Sequence, residues 1–264
     1  MEHVIGFPGL GLEFNISRVA FSVFGMNIFW YALCILTGYV GGLIFVSSTC
    51  KKRGVDPDNI FDICFWGLIF GLISARIYYC IFDWDSIGSF WNIFKIWEGG
   101  IAIYGALIGA VATAYIYCRR KKLNTLNVFD VCVPGLLIGQ IIGRWGNFFN
   151  AEVYGKETDN FLRMTINGGE GVHPLFLYEG MWNLIGLILI LIFRDKKRAD
   201  GQVFFFYIFW YGLGRLFLEG MRQSEYILYA IPNVLGISQI VAFLGIAFGL
   251  GGIVLLDKRR KRNV

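Results

Sequence analysis

Apolar residues run through this chain in long, nearly unbroken stretches joined by short polar connections. Stretches near or beyond the roughly 20 residues that a helix needs to cross about 30 Å of hydrocarbon occupy positions 19–48, 60–82, 99–118, 128–149, 174–193, 202–220 and 236–256. They predict seven transmembrane helices in an all-α integral membrane protein, organised as a single transmembrane domain over residues 1–264. Helices in lipid gain little from apolar burial against one another, so close backbone approach must hold the bundle. Small residues at four-residue spacing supply candidate contact faces: Gly67, Gly71 and Ala75 on the second helix, Gly105 and Gly109 on the third, and Gly135, Gly139 and Gly143 on the fourth.

Charge gives this pattern a direction. Lys and Arg collect on the cytoplasmic side of short loops, and here every second connection is basic: Lys51-Lys52-Arg53, Arg119-Arg120-Lys121-Lys122, Arg194 to Arg198, and Lys258 to Arg262. The alternate connections carry Asp83 and Asp85, then Glu157, Asp159 and Glu170, then Glu225. An external amino terminus and a cytoplasmic carboxyl terminus follow. The net charge of +5 is therefore a topology signal, and no nucleic-acid partner is implied. With 56% hydrophobic and only 16% charged residues, the chain lies far from the soluble average of about 25% charged. No Lys or Arg precedes Arg18 and the first apolar stretch outruns a signal-peptide core, so the amino terminus reads as a retained anchor. The six cysteines show no CxxC spacing and no matching histidine cluster, which suits small buried hydrophobes. No metal cluster or nucleotide loop is visible, so no cofactor is implied. The connection over 151–172 contains Asn167-Gly168-Gly169-Glu170-Gly171, whose glycines suit a mobile lid or a substrate-facing loop.

The polar residues inside the spans carry the candidate chemistry. A charged side chain at mid-bilayer costs about 2.5 to 3.5 kcal/mol on the lenient scale, so an intramembrane arginine marks a functional site by default. The topology places Arg144 and Asn147 in the outer part of the fourth helix with Glu152 just beyond, Arg215 and Glu219 near the external end of the sixth, and Arg76 in the outer half of the second. Tyr31, Tyr104, His173, Tyr178 and Glu179 come to the same leaflet from inward-running helices. Tyr211, Arg215, Glu219 and Arg222 recur at helical spacing along one stripe. Several arginines with few carboxylates at one depth suggest a pocket awaiting an anion, and a guanidinium fork matches phosphate oxygens. A lipid phosphate is the anion at hand. Plainer readings stay open: Arg215 and Glu219 neutralise each other, and Glu179 or Asp130 pairs with Arg76. Arginines also line anion or headgroup transport routes, and a scaffold with internal ion pairs is a third reading; the one-sided cluster and the lack of an internal repeat speak against transport.

The run Gly143-Arg144-Trp145-Gly146-Asn147-Phe148-Phe149-Asn150-Ala151-Glu152-Val153-Tyr154-Gly155 resembles the signature of bacterial phosphatidylglycerol:prolipoprotein diacylglyceryl transferases, Gly-Arg-x-Gly-Asn-Phe-x-Asn-x-Glu-x-x-Gly, with every fixed position met. Supporting matches are Trp30-Tyr31, Ala75-Arg76, Glu98-Gly99-Gly100 leading into Tyr104-Gly105, His173-Pro174 with Tyr178-Glu179, and Tyr211-Gly212 through Arg215 to Glu219. The resemblance implies transfer of a diacylglyceryl group from phosphatidylglycerol to the lipobox cysteine thiol of a prolipoprotein signal peptide. A thioether forms and glycerol phosphate leaves, the first step of lipoprotein maturation. It implies a multi-pass protein of the bacterial cell membrane with its active site toward the external leaflet of the lipid bilayer. Tyr31, Arg144, Asn147, Glu152, Gly155, Arg215 and Glu219 carry over as conserved residues. Many members have a histidine in a His-Gly-Gly motif at the start of the third helix, where this chain has Tyr104-Gly105-Ala106.

On this footing Arg144 and Arg215 are expected to clamp the phosphodiester, Glu152 and Asn147 to position the headgroup or the arginines, and Glu219 to orient Arg215. Tyr31, Arg76, Gly155 and Tyr211 are expected at the substrate. The thiol proton has three candidate acceptors: His173, Tyr104, or water in the cationic pocket.

Overall fold

Strands joined by short turns, not a membrane helix, occupy residues 2–29. The computed structural model describes residues 2–95, 99–227, 229–231 and 235–262. In it β1 (Glu2–Phe7), β2 (Leu12–Ser17), β3 (Val19–Val23) and β4 (Met26–Phe29) precede the first long helix. The span expected from position 19 therefore begins eleven residues later, at Trp30. An unbroken apolar run does not by itself separate strand from helix. The deciding signal is Phe24-Gly25, whose φ angles of 50° and 79° make the two-residue turn between β3 and β4.

The helices are α1 (Trp30–Cys50), α2 (Pro57–Phe82), the single turn α3 (Trp84–Ile87), α4 (Ile103–Arg120), α5 (Thr125–Asn150), α6 (Leu175–Phe193), α7 (Gln202–Glu219) and α8 (Ile237–Arg262). Five of them, with short extensions, are long and apolar enough to cross a membrane: 30–53, 57–82, 125–150, 175–196 and 237–262. The remaining two long helices, α4 and α7, are each 18 residues. Arg119 and Arg120 end α4, and α7 carries Gln202, Arg215 and Glu219. Asp56 starts α2 by accepting from the Asp58 N–H at 3.1 Å, with Pro57 in the first helical position.

The chain forms two units, residues 1–44 with 133–264, and residues 45–132. In the first, glycines of α1 meet glycines of α5. A Cβ added to Gly42 would stand 2.5 Å from the Gly135 carbonyl oxygen, and one on Gly38 would stand 3.0 Å from that of Gly139. Gly143 faces Ile35. Helices α6 and α7 run antiparallel, locked by stacked Trp182 and Trp210 with ring centroids 4.3 Å apart. Each indole N–H donates to the other residue's backbone carbonyl at 3.0 Å. Gly249 of α8 lets that helix close on Phe205 and Phe209 of α7.

In the second unit, Gly105 and Gly109 of α4 press on Ser74, Ala75 and Phe70 of α2, and Gly71 of α2 on Ala106. The small-residue faces are thus helix contacts, with one exception. Nothing stands within 4 Å of where a Gly67 Cβ would be.

The connection between α5 and α6 folds into the strand region. β5 (Thr165–Ile166) joins β1 to give the sheet order β2-β1-β5, antiparallel throughout. Ile5, Phe7, Ile16, Phe148, Met164, Val172 and Phe176 form the apolar cluster of this region. The start of the glycine run, read as a mobile lid or a substrate-facing loop, is hydrogen-bonded to β1. Asn167 N–H donates to the Val4 carbonyl at 2.7 Å, and Val4 N–H returns to Asn167 Oδ1 at 2.8 Å. The backbone polar groups of a polar, glycine-rich segment have found strand partners there.

Candidate active site

Three arginines converge on one glutamate. Glu179, one turn into α6 and 5% exposed, receives Arg144 Nη1 of α5 at 2.5 Å on Oε2. Its Oε1 accepts from Arg215 Nη1 of α7 and from Arg222 Nη2 just past α7, both at 3.2 Å. Glu219, 1% exposed, holds Arg215 Nη2 at 3.0 Å and Arg222 Nε at 3.6 Å through Oε2. The contacts of Glu179 Oε2 and of Glu219 are ion pairs without hydrogen-bond alignment. Three guanidinium groups against two carboxylates leave one positive charge in excess.

The neutralising pair expected between Arg215 and Glu219 is therefore present, while Glu179 is engaged by three arginines of its own unit. Two carboxylates stand among the arginines, more than the sequence suggested. Arg144 keeps donors in reserve. Among the described residues its one protein partner is Glu179. Burial and the neighbouring Arg215 both lower the pKa of Arg222, as expected where positive charge crowds.

Arg144, Glu179, Trp182, Asn183, Tyr211, Gly214, Arg215 and Leu218 line a narrow cleft. The cleft brings together Arg144, Tyr211 and Arg215 of the sequence candidates; Trp182 and Asn183 were not among them. Asn183 is one turn after Glu179, and helical spacing from that glutamate was the available signal.

The rest of the Gly143–Gly155 run shapes the carboxyl-terminal end of α5. Asn147 Nδ2 and Asn150 Nδ2 both donate to Glu152 Oε1 at 3.2 Å. Arg18 closes the helix by donating Nε and Nη2 to the Asn150 carbonyl at 3.1 and 2.8 Å, a cation at the negative end of the helix dipole. Ala151 and Val153 flank Glu152 with φ of 50° and 56°, and such a conformation at a β-branched residue is strained. Tyr31 packs its ring on Gly146, where an added Cβ would lie 2.7 Å from Cδ2.

Gly155 is fixed by crowding. Its N–H donates to the His173 carbonyl at 2.9 Å, Lys156 N–H donates to the Met221 carbonyl at 2.7 Å, and Gly155 bridges Arg222 in antiparallel fashion. A Cβ at Gly155 would stand 2.6 Å from His173 Cβ and 2.8 Å from the Met221 oxygen. One ladder thus ties His173, Gly155 and Arg222 together. The His173 imidazole lies 3.5 Å from the Tyr178 hydroxyl through Nδ1. Burial lowers its pKa, so the ring is neutral at pH 7.

Arg76 and Tyr104 belong to the other unit. Arg76, 7% exposed, donates to the carbonyls of Ile93, Gly99, Gly100 and Asn92 at 2.9, 2.6, 2.8 and 2.6 Å. Four such bonds occupy most of a guanidinium's five N–H groups, so this arginine organises the chain after α2. Tyr104 lies in the first turn of α4. Glu98, part of the supporting sequence match, lies outside the described residues.

Comparison with known proteins places the chain in a family. Residues 18–255 match the family described as prolipoprotein diacylglyceryl transferase. The phosphatidylglycerol–prolipoprotein diacylglyceryl transferase of Lysinibacillus sphaericus (strain C3-41) is 43% identical over 257 residues, covering 92% of this chain and 93% of that protein. That of Streptococcus pyogenes serotype M5 (strain Manfredo) is 40% identical over 260 residues, covering 94% and 98%. With the match running from the strand region to α8, the chain belongs to the prolipoprotein diacylglyceryl transferase family.

Proposed function

We propose that this protein transfers the diacylglyceryl group of phosphatidylglycerol to the lipobox cysteine of prolipoproteins in the bacterial cell membrane. All seven long helices cross the bilayer, with the amino terminus external and the arginine cluster toward the external leaflet. The observation that carries the reading is the convergence of Arg144, Arg215 and Arg222 on Glu179 with one positive charge uncompensated. A site of that charge suits a monoanionic phosphodiester.

The reaction forms a bond between the cysteine sulfur and the glycerol carbon bearing the phosphate ester. The bond from that carbon to the ester oxygen breaks, its electron pair leaves with glycerol phosphate, and the thiol proton passes to a base. Arg144, with donors to spare, contacts the phosphate directly. Arg215, held between Glu179 and Glu219, faces the same cleft and stabilises charge growing on the leaving group. Preorganised donors of this kind are worth most where water is excluded. Glu152 with Asn147 holds the end of α5, and with Tyr31 and Tyr211 it frames the headgroup. Gly155 keeps His173 in place. His173, neutral through burial, takes the thiol proton, since a thiol near pKa 8.5 is only a few per cent ionised at neutral pH. Tyr104 is the alternative acceptor, to be separated from His173 by Tyr104→Phe.

The test supplies the purified protein in membranes with phosphatidylglycerol and a lipobox peptide, and follows glycerol phosphate release and peptide mass. Coupled appearance of both products is expected from the wild type, and loss of both in Arg144→Ala and Arg215→Ala. Full transfer by either variant would defeat the clamp. Lipid movement without glycerol phosphate release would replace the enzyme with a transporter.

A further inference from the structure

We infer that Asn183 recognises the diacylglyceryl group itself, its side-chain amide donating to an ester carbonyl of the lipid one helical turn from the arginine cluster. The inference rests on the transfer reading above. Asn183 is 4% exposed and lines the same cleft as Arg144 and Arg215. No protein group among the described residues hydrogen-bonds its amide. Buried polar side chains are nearly always paired, so an amide that lines this cleft without a protein partner is provision for a ligand group.

Its depth says which group. Helices α6 and α7 are antiparallel, and two contacts fix their register: Glu179 with Arg215, and Trp182 with Trp210. Asn183 is therefore level with Tyr211, and both lie one turn from the ion pairs on the same side, about 6 Å along the helix at 1.5 Å per residue. Tyr211 likewise lines the cleft, so the two make a second polar layer beneath the first. A glycerophospholipid has two polar layers in the same sequence. The charged phosphate comes first, then, one glycerol unit toward the acyl chains, the ester carbonyls. These carbonyls only accept hydrogen bonds, and an amide N–H is a matching donor. With the phosphate at Arg144 and Arg215, an ester carbonyl reaches the Asn183 layer. The electrophilic glycerol carbon then sits between two anchors, and two-point anchoring fixes the direction of its bond to the leaving oxygen.

The experiment compares diester phosphatidylglycerol with its dialkyl ether analogue, which has the same headgroup and reacting carbon but no ester carbonyl. Transfer to a lipobox peptide is measured with wild type, Asn183→Leu and Asn183→Ala, reading kcat and KM for each lipid. Wild type is expected to use the ether lipid with kcat/KM lower by roughly tenfold, the value of one well-placed hydrogen bond. Both variants are expected to lower the diester value to that level while leaving the ether value unchanged. Asn183→Ala guards against overfilling of the cleft by leucine. Equal use of the two lipids by wild type, or parallel losses on both lipids in both variants, overturns the assignment and leaves the transfer reading intact. Absence of transfer from either lipid by wild type overturns the transfer reading and this inference with it.

Discussion

Arg144 of α5 and Glu179 of α6 meet at 2.5 Å, and the same carboxylate group is shared by Arg215 and Arg222. Glu179 is thus the hub that lets three guanidinium groups occupy one buried site. Removing one partner of a buried ionic cluster leaves uncompensated charge, at a cost of about 3–5 kcal/mol. Glu179→Gln should lower thermal stability in detergent by that order and reduce transfer at least a hundredfold. A variant that melts with the wild type would show that the arginines do not need the hub.

The two arginines of the proposed clamp are held differently, so their loss should read differently. Arg144, paired only with Glu179 among the described residues, is the direct phosphate ligand in the proposed clamp; Arg144→Lys keeps the charge but loses the fork. It should raise KM for phosphatidylglycerol about tenfold or more with stability little changed. Arg215→Lys breaks contacts to both Glu179 and Glu219 and should lower stability as well as kcat. Identical kinetic and melting profiles would remove the distinction.

Gly155 and Gly180 make a matched pair. A methyl at Gly155 collides with His173 and the Met221 carbonyl, and overpacking of that kind costs about 1–3 kcal/mol. Gly155→Ala should also displace His173 from Arg222 and so depress transfer. At Gly180, in the first turns of α6, nothing lies within 4 Å of the added methyl, and alanine favours the helix by about 1 kcal/mol. Gly180→Ala should fold at least as well as wild type. Equal tolerance at both positions would contradict the ladder geometry.

The pKa of His173 lies below its ordinary value of 6.5 because burial penalises the charged ring. A depressed folded-state pKa means the unfolded chain binds the extra proton first as pH falls. The stabilising contribution of the neutral ring is therefore complete above 6.5 and is lost as pH drops through the lower folded value. Transfer should show an acid limb in the same window, below 6.5. In His173→Gln that limb should vanish, with activity down about a hundredfold and rising only as the peptide thiol ionises near 8.5. An unchanged acid limb in the variant would exclude His173 as the proton acceptor.

Arg76 tests the difference between a buried arginine that binds and one that builds. Its four carbonyl contacts hold residues 92–93 and 99–100 around the end of α2. Arg76→Lys cannot span them and should lose about 2–4 kcal/mol of stability, while KM for lipid stays within about twofold. A raised KM without a melting change would return Arg76 to the lipid site.

The helical, membrane-embedded character of the chain was legible in the sequence because hydrocarbon imposes strict rules. Long apolar runs, basic alternate connections and glycines at four-residue spacing each follow from what a bilayer permits. Gly42 against Gly135 and Gly105 against Ser74 are those rules realised in contacts. Elsewhere the same apolar composition did not separate strand from helix. Val19 to Phe29 is as apolar as a span yet pairs as a hairpin, and Thr165–Ile166, just before the glycine run, became a sheet edge against β1. Charge partners were likewise undecided until helices met. Spacing put Arg215 and Glu219 on one stripe, but only the packing of α5, α6 and α7 chose Glu179 for Arg144 and gave Arg76 to backbone carbonyls. The physical reason is range. Hydrophobic patterning is local and additive along the chain, whereas a buried charge is satisfied by whichever group the fold brings within about 3 Å.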